Sequence, residues 1–356
     1  MSRPVPPPYS AYPQPRRPRP PGYTEHPHPE PRSYPLILRT WDFEAWRPVV
    51  GLVCLLLAAV VVVPLLLLPV LAIGIAIQGG NFSSEFSQAL QLSKLTPAAM
   101  LYLNLTLAAL VLVTWAIARW LHRLRPRWLM SVRPGIRWKF FWACFGLALV
   151  AMACQLGVGS LLPGNTNGLN GHLQPFGGQV LALGLVVLIT TPLQAMGEEY
   201  AFRGYTMQAI GSLVHRIACG LGVRPPRARL VAEVLAVVLS GLVFAFAHGL
   251  QNGPLFIDRF AFGLLAGYLV VRTGGLEAGI ALHIWNNLVS FGFGIAFGSA
   301  QQMLTETKVS WWNLPITVTQ TVVYLVLVLF VAKKMGLDNR TRPPTSTATP
   351  EAAVDW

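Results

Sequence analysis

Two adjacent carboxylates, an arginine, two histidines and an asparagine stand in three short stretches of this 356-residue chain, and their types and spacing suit hydrolysis. Glu198, Glu199 and Arg203 lie in the first stretch, Phe244 and His248 in the second, His283 and Asn287 in the third. Glu199 precedes Arg203 by four residues, the spacing that stacks an acid on a base along one helical face. Glu198 is turned about 100° from Glu199 on the same helix and lacks that partner. A free carboxylate in apolar surroundings can take a proton from water, and a histidine can hold or polarise that water. A further histidine and an asparagine can donate hydrogen bonds to the oxyanion of a tetrahedral intermediate. No Gly-x-Ser-x-Gly elbow, His-Glu-x-x-His motif or Ser-His-Asp order is present, which argues against serine and zincin chemistry.

Each stretch also has a plainer reading. Glu198 and Glu199 could cap the end of a membrane span, and His248 could anchor a helix end at the interface. His283 and Asn287, stacked on one face, could form an interhelical hydrogen bond that glues a bundle. Asp258 and Arg259 most simply neutralise charge near a helix end or a neighbour.

The elements that must position these residues are membrane helices. The chain is 53% hydrophobic and 12% charged, against roughly a quarter charged in ordinary soluble domains. That composition excludes a cytosolic enzyme, a secreted disulfide scaffold and a coiled coil. The net charge of +13 does not point to nucleic acid, because the basic residues lie between apolar runs instead of forming one face of a folded domain. Cys54, Cys144, Cys154 and Cys219 show no metal-ligand spacing and read as reduced core residues.

Eight apolar segments are long enough to span, at about 20 residues per crossing: approximately 49–78, 96–118, 140–163, 179–197, 230–249, 254–271, 275–297 and 314–332. Lipid cannot satisfy backbone polar groups, so each must be a helix, and the expected fold is an all-α polytopic bundle. Residues 1–47 form a Pro-rich tail expected to be disordered, with thirteen prolines in its first 36 residues and a possible unknown partner. Residues 48–337 form the membrane domain, and 338–356 a second polar tail. Alternate connections hold 24 of the 27 Lys and Arg on one side against Lys94 and Lys308 on the other. The positive-inside rule then puts both termini in the cytoplasm of a multi-pass protein of the cell's inner membrane.

The three motifs, in this order on separate apolar segments, resemble those of the CAAX prenyl protease type II and bacteriocin-processing family of intramembrane endopeptidases. The stretches Phe262-Gly263-Leu264-Leu265-Ala266-Gly267-Tyr268 and Arg272-Thr273-Gly274-Gly275-Leu276 are similar too, and the likeness covers about 179–292. The resemblance implies an intramembrane peptidase in which Glu198 activates water with His248, while His283 and Asn287 form the oxyanion hole and Glu199 and Arg203 support the first motif. Its implied partners are the lipid bilayer and a membrane-bound or lipidated, CAAX-like protein or peptide substrate, with no nucleic acid. No cofactor is expected. Zinc held by Glu198, His248 and His283 is the alternative, disfavoured because Asn287 suits an oxyanion donor better than a zinc ligand.

Simple span boundaries put Glu198 near one membrane face and His248 near the other, where they cannot meet. The expected remedy is a fourth helix that kinks at Pro192, carries Glu198 inward and reaches the cytoplasm only around Leu213. The fifth helix would project its Arg227 and Arg229 end above the bilayer, and Gly249 to Pro254 would form a re-entrant turn. The rival from another class is a non-catalytic transporter or scaffold using the same residues as glue or as a transport site.

Overall fold

A computed structural model describes residues 27–79, 81–91, 93–163 and 173–342. Eight long helices are present among them: α1 (Trp46–Gln78), α2 (Pro97–Leu121), α3 (Trp138–Leu161), α4 (Gly178–Gly220), α5 (Pro225–Ala247), α6 (Gly253–Thr273), α7 (Glu277–Ala296) and α8 (Asn313–Lys334). Seven are long and apolar enough to cross a membrane. The exception is α7, long enough at 20 residues but diluted by Glu277, His283, Asn286 and Asn287. The eight expected segments thus all form helices, and the one whose composition falls short as a span carries the third motif. Exposed side chains on the helices are largely Leu, Val, Ile and Phe, including Leu65, Leu66, Ile77 and Val322. That is the inverse of a soluble surface, and with the apolar helices it defines a multi-pass membrane protein.

The fourth helix does more than was expected of it. It continues through Pro192 as one 43-residue element, about 65 Å long at 1.5 Å per residue and so far longer than the roughly 30 Å hydrocarbon core. After Glu199 the backbone widens into a π-helical segment, Tyr200–Thr206, before the α-helix resumes. α4 then turns at Leu221–Arg224, and α5 packs back along its second half. Glu198 lies 22 residues before Gly220 and His248 lies 23 residues after Pro225, so the antiparallel hairpin returns His248 to the level of Glu198. A kink is not required, because the overshoot of the hairpin settles the conflict. Gly249 takes the left-handed backbone (φ 77°) that starts the short non-helical connection to α6.

Close crossings bring the remaining helices to the site. A Cβ at Gly197 would collide with the Leu107 carbonyl of α2, and one at Gly263 would sit 2.8 Å from Gly241 Cα where α6 crosses α5. α7 packs against both α3 and α4, and α8 against α3 and α6.

The terminal segments depart from expectation. Residues 27–45 are packed on the body, with His28, Tyr34, Leu36, Ile37 and Leu38 buried. The Tyr34 hydroxyl donates to the Leu129 carbonyl, and Pro35 lies where a side chain at Gly211 of α4 would have to be. The apolar run Tyr34-Pro35-Leu36-Ile37-Leu38 inside a polar, Pro-rich stretch has enough side-chain area to dock. Past residue 338, Thr341 N donates to the Arg32 carbonyl at 2.8 Å and Asp338 pairs with Arg133 at 2.5 Å. The segments around Arg32–Tyr34 and Asp338–Thr341 therefore meet on one end of the bundle, together with the α2–α3 connection. The tail residues before 27 and after 342 lie outside the described residues. Cys144 is buried as expected, but Cys54 and Cys154 are exposed and Cys219 is half-buried; all four are free thiols.

Candidate active site

A cavity of about 680 Å³ opens between α2, α3, α4, α5, α6, α7 and α8, and Glu198, His248, His283 and Asn287 all line it. The three motifs therefore converge.

Glu199 and Arg203 are fully buried and paired at 3.0 Å, as the i, i+4 spacing predicts. The guanidinium lies 3.8 Å from the centroid of Phe244 and 5.1 Å from that of Phe262, an arrangement that compensates part of its lost hydration. Glu199 also fixes the third motif. His283 Nδ1 lies 2.9 Å from Glu199 Oε1, and because a carboxylate oxygen only accepts, Nδ1 carries the proton. Nε2 then points at Glu198, 3.4 Å from its Oε2. Gly279 leaves room for this arrangement, since a Cβ there would stand 2.8 Å from Glu199 Oε2.

Glu198 is nearly buried but faces the cavity. Its Oε1 accepts from Gln194 Nε2 at 2.7 Å, whereas its Oε2 has no hydrogen-bond partner. The expectation that Glu198 is turned away from Arg203 holds, with one correction: it is held by an amide one helical turn earlier. Gln194 Oε1 in turn accepts from Asn287 Nδ2 at 2.9 Å. His283 and Asn287 thus share a face, as their spacing requires, but bond to different partners on α4. Sequence reasoning missed Gln194; its signal was a further i, i+4 spacing to Glu198.

His248 caps the C-terminal end of α5, and its Nδ1 lies 2.8 Å from the Phe244 carbonyl of the preceding turn. A carbonyl accepts, so Nδ1–H donates and Nε2 is left as an acceptor without a protein partner among the described residues. The Phe244 and His248 rings meet edge to face at 4.6 Å, as the four-residue spacing predicts. Asp258 and Arg259 do not neutralise each other in a direct ion pair. Asp258 lines the cavity and accepts from Asn313 Nδ2 at 3.2 Å and from the Thr317 hydroxyl, and Arg259 donates to Gln251 Oε1 at 3.0 Å.

Among the described residues no group of three His, Cys, Asp or Glu side chains is arranged to hold a metal ion. One nitrogen of each histidine is committed, to Glu199 in one case and to a backbone carbonyl in the other. That commitment leaves Nε2 of each ring as the nitrogen not held by Glu199 or the backbone, and no step below passes through a metal.

The fold and cavity define a polytopic α-helical membrane protein with a carboxylate, two imidazoles and an amide lining one cavity, its His248 side exposed. Residues 179–289 match the model of the Type II CAAX prenyl endopeptidase Rce1-like family, the same stretch in which the three motifs resemble that kind of peptidase. The uncharacterized protein YyaK of Bacillus subtilis (strain 168) is 26% identical over 157 residues, which cover 41% of this chain and 48% of YyaK. The match thus spans about half the length of that curated relative. No solved structure matches the chain with significance.

Proposed function

We propose that this protein is an intramembrane endopeptidase of the glutamic type. One observation carries the reading: Glu198, whose Oε2 makes no hydrogen bond and lies 3.4 Å from His283 Nε2, and His248, whose Nε2 is left as an acceptor, line one cavity, with Asn287 as a donor on its α7 wall. A water held by Glu198 and His248 attacks the scissile carbonyl carbon, and Glu198 takes its proton. The oxyanion receives a hydrogen bond from the second Asn287 Nδ2 proton, the first being committed to Gln194, and from His283 Nε2 when that ring is doubly protonated. As the C–N bond breaks, the proton passes from Glu198 to the leaving amine, so the step balances without a cofactor. Glu199 and Arg203 position His283 and do not touch substrate.

The substrate is a membrane-bound or lipidated protein or peptide. A mixed wall supports this reading, with Leu103, Leu107 and Leu156 facing the same space as the polar groups. The family description adds CAAX-like tails as a candidate class. Both termini lie on the cytoplasmic face of the inner membrane, a reading supported by the basic bias of one side and by the pairing of Ser33 with Arg340.

The test compares membrane proteomes of cells expressing the wild type and Glu198→Ala at equal abundance. Uncleaved membrane-anchored precursors accumulate in the variant. Identical proteomes, with the purified variant still folded, would overturn the assignment and favour a transporter or scaffold.

A further inference from the structure

The connection between α2 and α3 builds a second site, at the end of the bundle where residues 32–34 meet residues 338–341. A shallow cavity of about 310 Å³ is lined by Arg125, Arg127, Arg133 and Arg342, with Trp128 and Pro134 between them. One carboxylate serves this group: Asp338 lies 2.5 Å from Arg133 Nη2 and 3.8 Å from Arg342 Nε. Arg125 and Arg127 have no ion-pair partner among the described residues, so the pocket holds cationic forks whose charge no described carboxylate balances.

The frame of the pocket is fixed. Val132 N donates to the Gly274 carbonyl at 2.8 Å and Leu276 N to the Met130 carbonyl at 2.9 Å, pinning the connection to the α6–α7 turn. Trp128 is buried at the base, with the His28 ring against it at 4.9 Å. Arginines on a fixed frame lose little freedom when they bind an anion, and their planar forks match phosphate oxygens in pairs.

Its depth identifies the ligand. α2 ends at Leu121 and α3 begins at Trp138, so the pocket lies in the connection just outside two spans. Trp120 at the end of α2 and Trp138 and Trp142 at the start of α3 have exposed rings, as in the aromatic belt of a membrane interface. A phosphate reaching this site arrives at headgroup level.

We infer that this arginine pocket binds the phosphodiester headgroup of an anionic phospholipid. The site is separate from the catalytic cavity and stands whether or not the peptidase reading does.

The full chain, purified in a neutral detergent, is titrated with dioctanoyl phosphatidylglycerol, dioctanoyl phosphatidylcholine or inorganic phosphate, following melting temperature and bound lipid by native mass spectrometry. Phosphatidylglycerol binds and raises the melting temperature, and phosphatidylcholine does not. Arg125→Gln with Arg127→Gln weakens phosphatidylglycerol binding roughly thirtyfold, at about 1 kcal/mol per interfacial arginine. Both side chains are exposed, so the double variant without lipid melts like the wild type. The control, Arg224→Gln with Arg227→Gln at the exposed start of α5, retains wild-type affinity. Equal loss in the control reduces the effect to general surface charge and overturns the site. Equal binding of phosphatidylcholine also overturns it. Inorganic phosphate binding as tightly as the lipid overturns the lipid assignment and marks a site for a soluble phosphate.

Discussion

Gln194→Leu tests whether Glu198, the proposed base, must be held from behind. Leucine keeps the approximate volume of glutamine, so the packing of α4 changes little. The substitution removes the 2.7 Å bond to Glu198 and the 2.9 Å bond from Asn287. A hydrogen bond to a charged group contributes about 1.5–3 kcal/mol and a neutral one about 0.5–1.5 kcal/mol. The cavity can admit water to replace part of this, so the expected loss in transition-state stabilisation is about 2–3 kcal/mol, or roughly a hundredfold in kcat. KM changes little, because Gln194 orients the base and the oxyanion donor and does not anchor substrate. The assay follows, in proteoliposomes, cleavage of a precursor that accumulates with Glu198→Ala, with melting temperature measured in parallel. A folded Gln194→Leu protein with kcat within threefold of wild type would refute the bridging role. A rise in KM alone would move Gln194 to substrate binding.

Further outcomes follow from the same contacts. Arg203→Met leaves Glu199 buried without its cation and costs about 3–5 kcal/mol, read as a large drop in melting temperature; an unchanged melting temperature would show that Glu199 does not depend on the pair. Gly197→Ala forces a methyl against the Leu107 carbonyl and destabilises by about 1–3 kcal/mol by overpacking, measurable by thermal unfolding in detergent. His122, just past the end of α2 and 2.9 Å from the Tyr205 hydroxyl, has its pKa pushed down to about 4 by burial, with Arg47 adding to the effect. The unfolded chain takes up that proton first, near pH 6.5, so the stability contributed by neutral His122 is complete above pH 6.5 and is lost as pH falls through 4. Melting temperature should decline across that window, and His122→Gln should flatten the decline; a parallel decline in the variant would assign the titration to other groups.

The sequence by itself determined everything governed by short-range helical geometry. Apolar run length made eight helices, and the thin scatter of charge required lipid around them. The four-residue spacings of Glu199 with Arg203 and Phe244 with His248 brought those side chains together because a helix offers no other arrangement of them. The resemblance of the three motifs to a peptidase family was likewise legible, and the family match over 179–289 agrees with it. Contacts between helices were another matter. Whether His248 reaches the level of Glu198 depends on how far α4 and α5 extend past the bilayer before turning, and an apolar run marks only the part of a helix that lies in lipid. Gln194 is marked locally only by its four-residue spacing to Glu198, and its bond from Asn287 forms only where α7 packs against α4. The docking of Tyr34 to Leu38 depended on a groove made by α4 and the α2–α3 connection, which a Pro-rich composition conceals. Tertiary packing decided these features, since each is a distance between segments far apart in the chain that no local periodicity encodes.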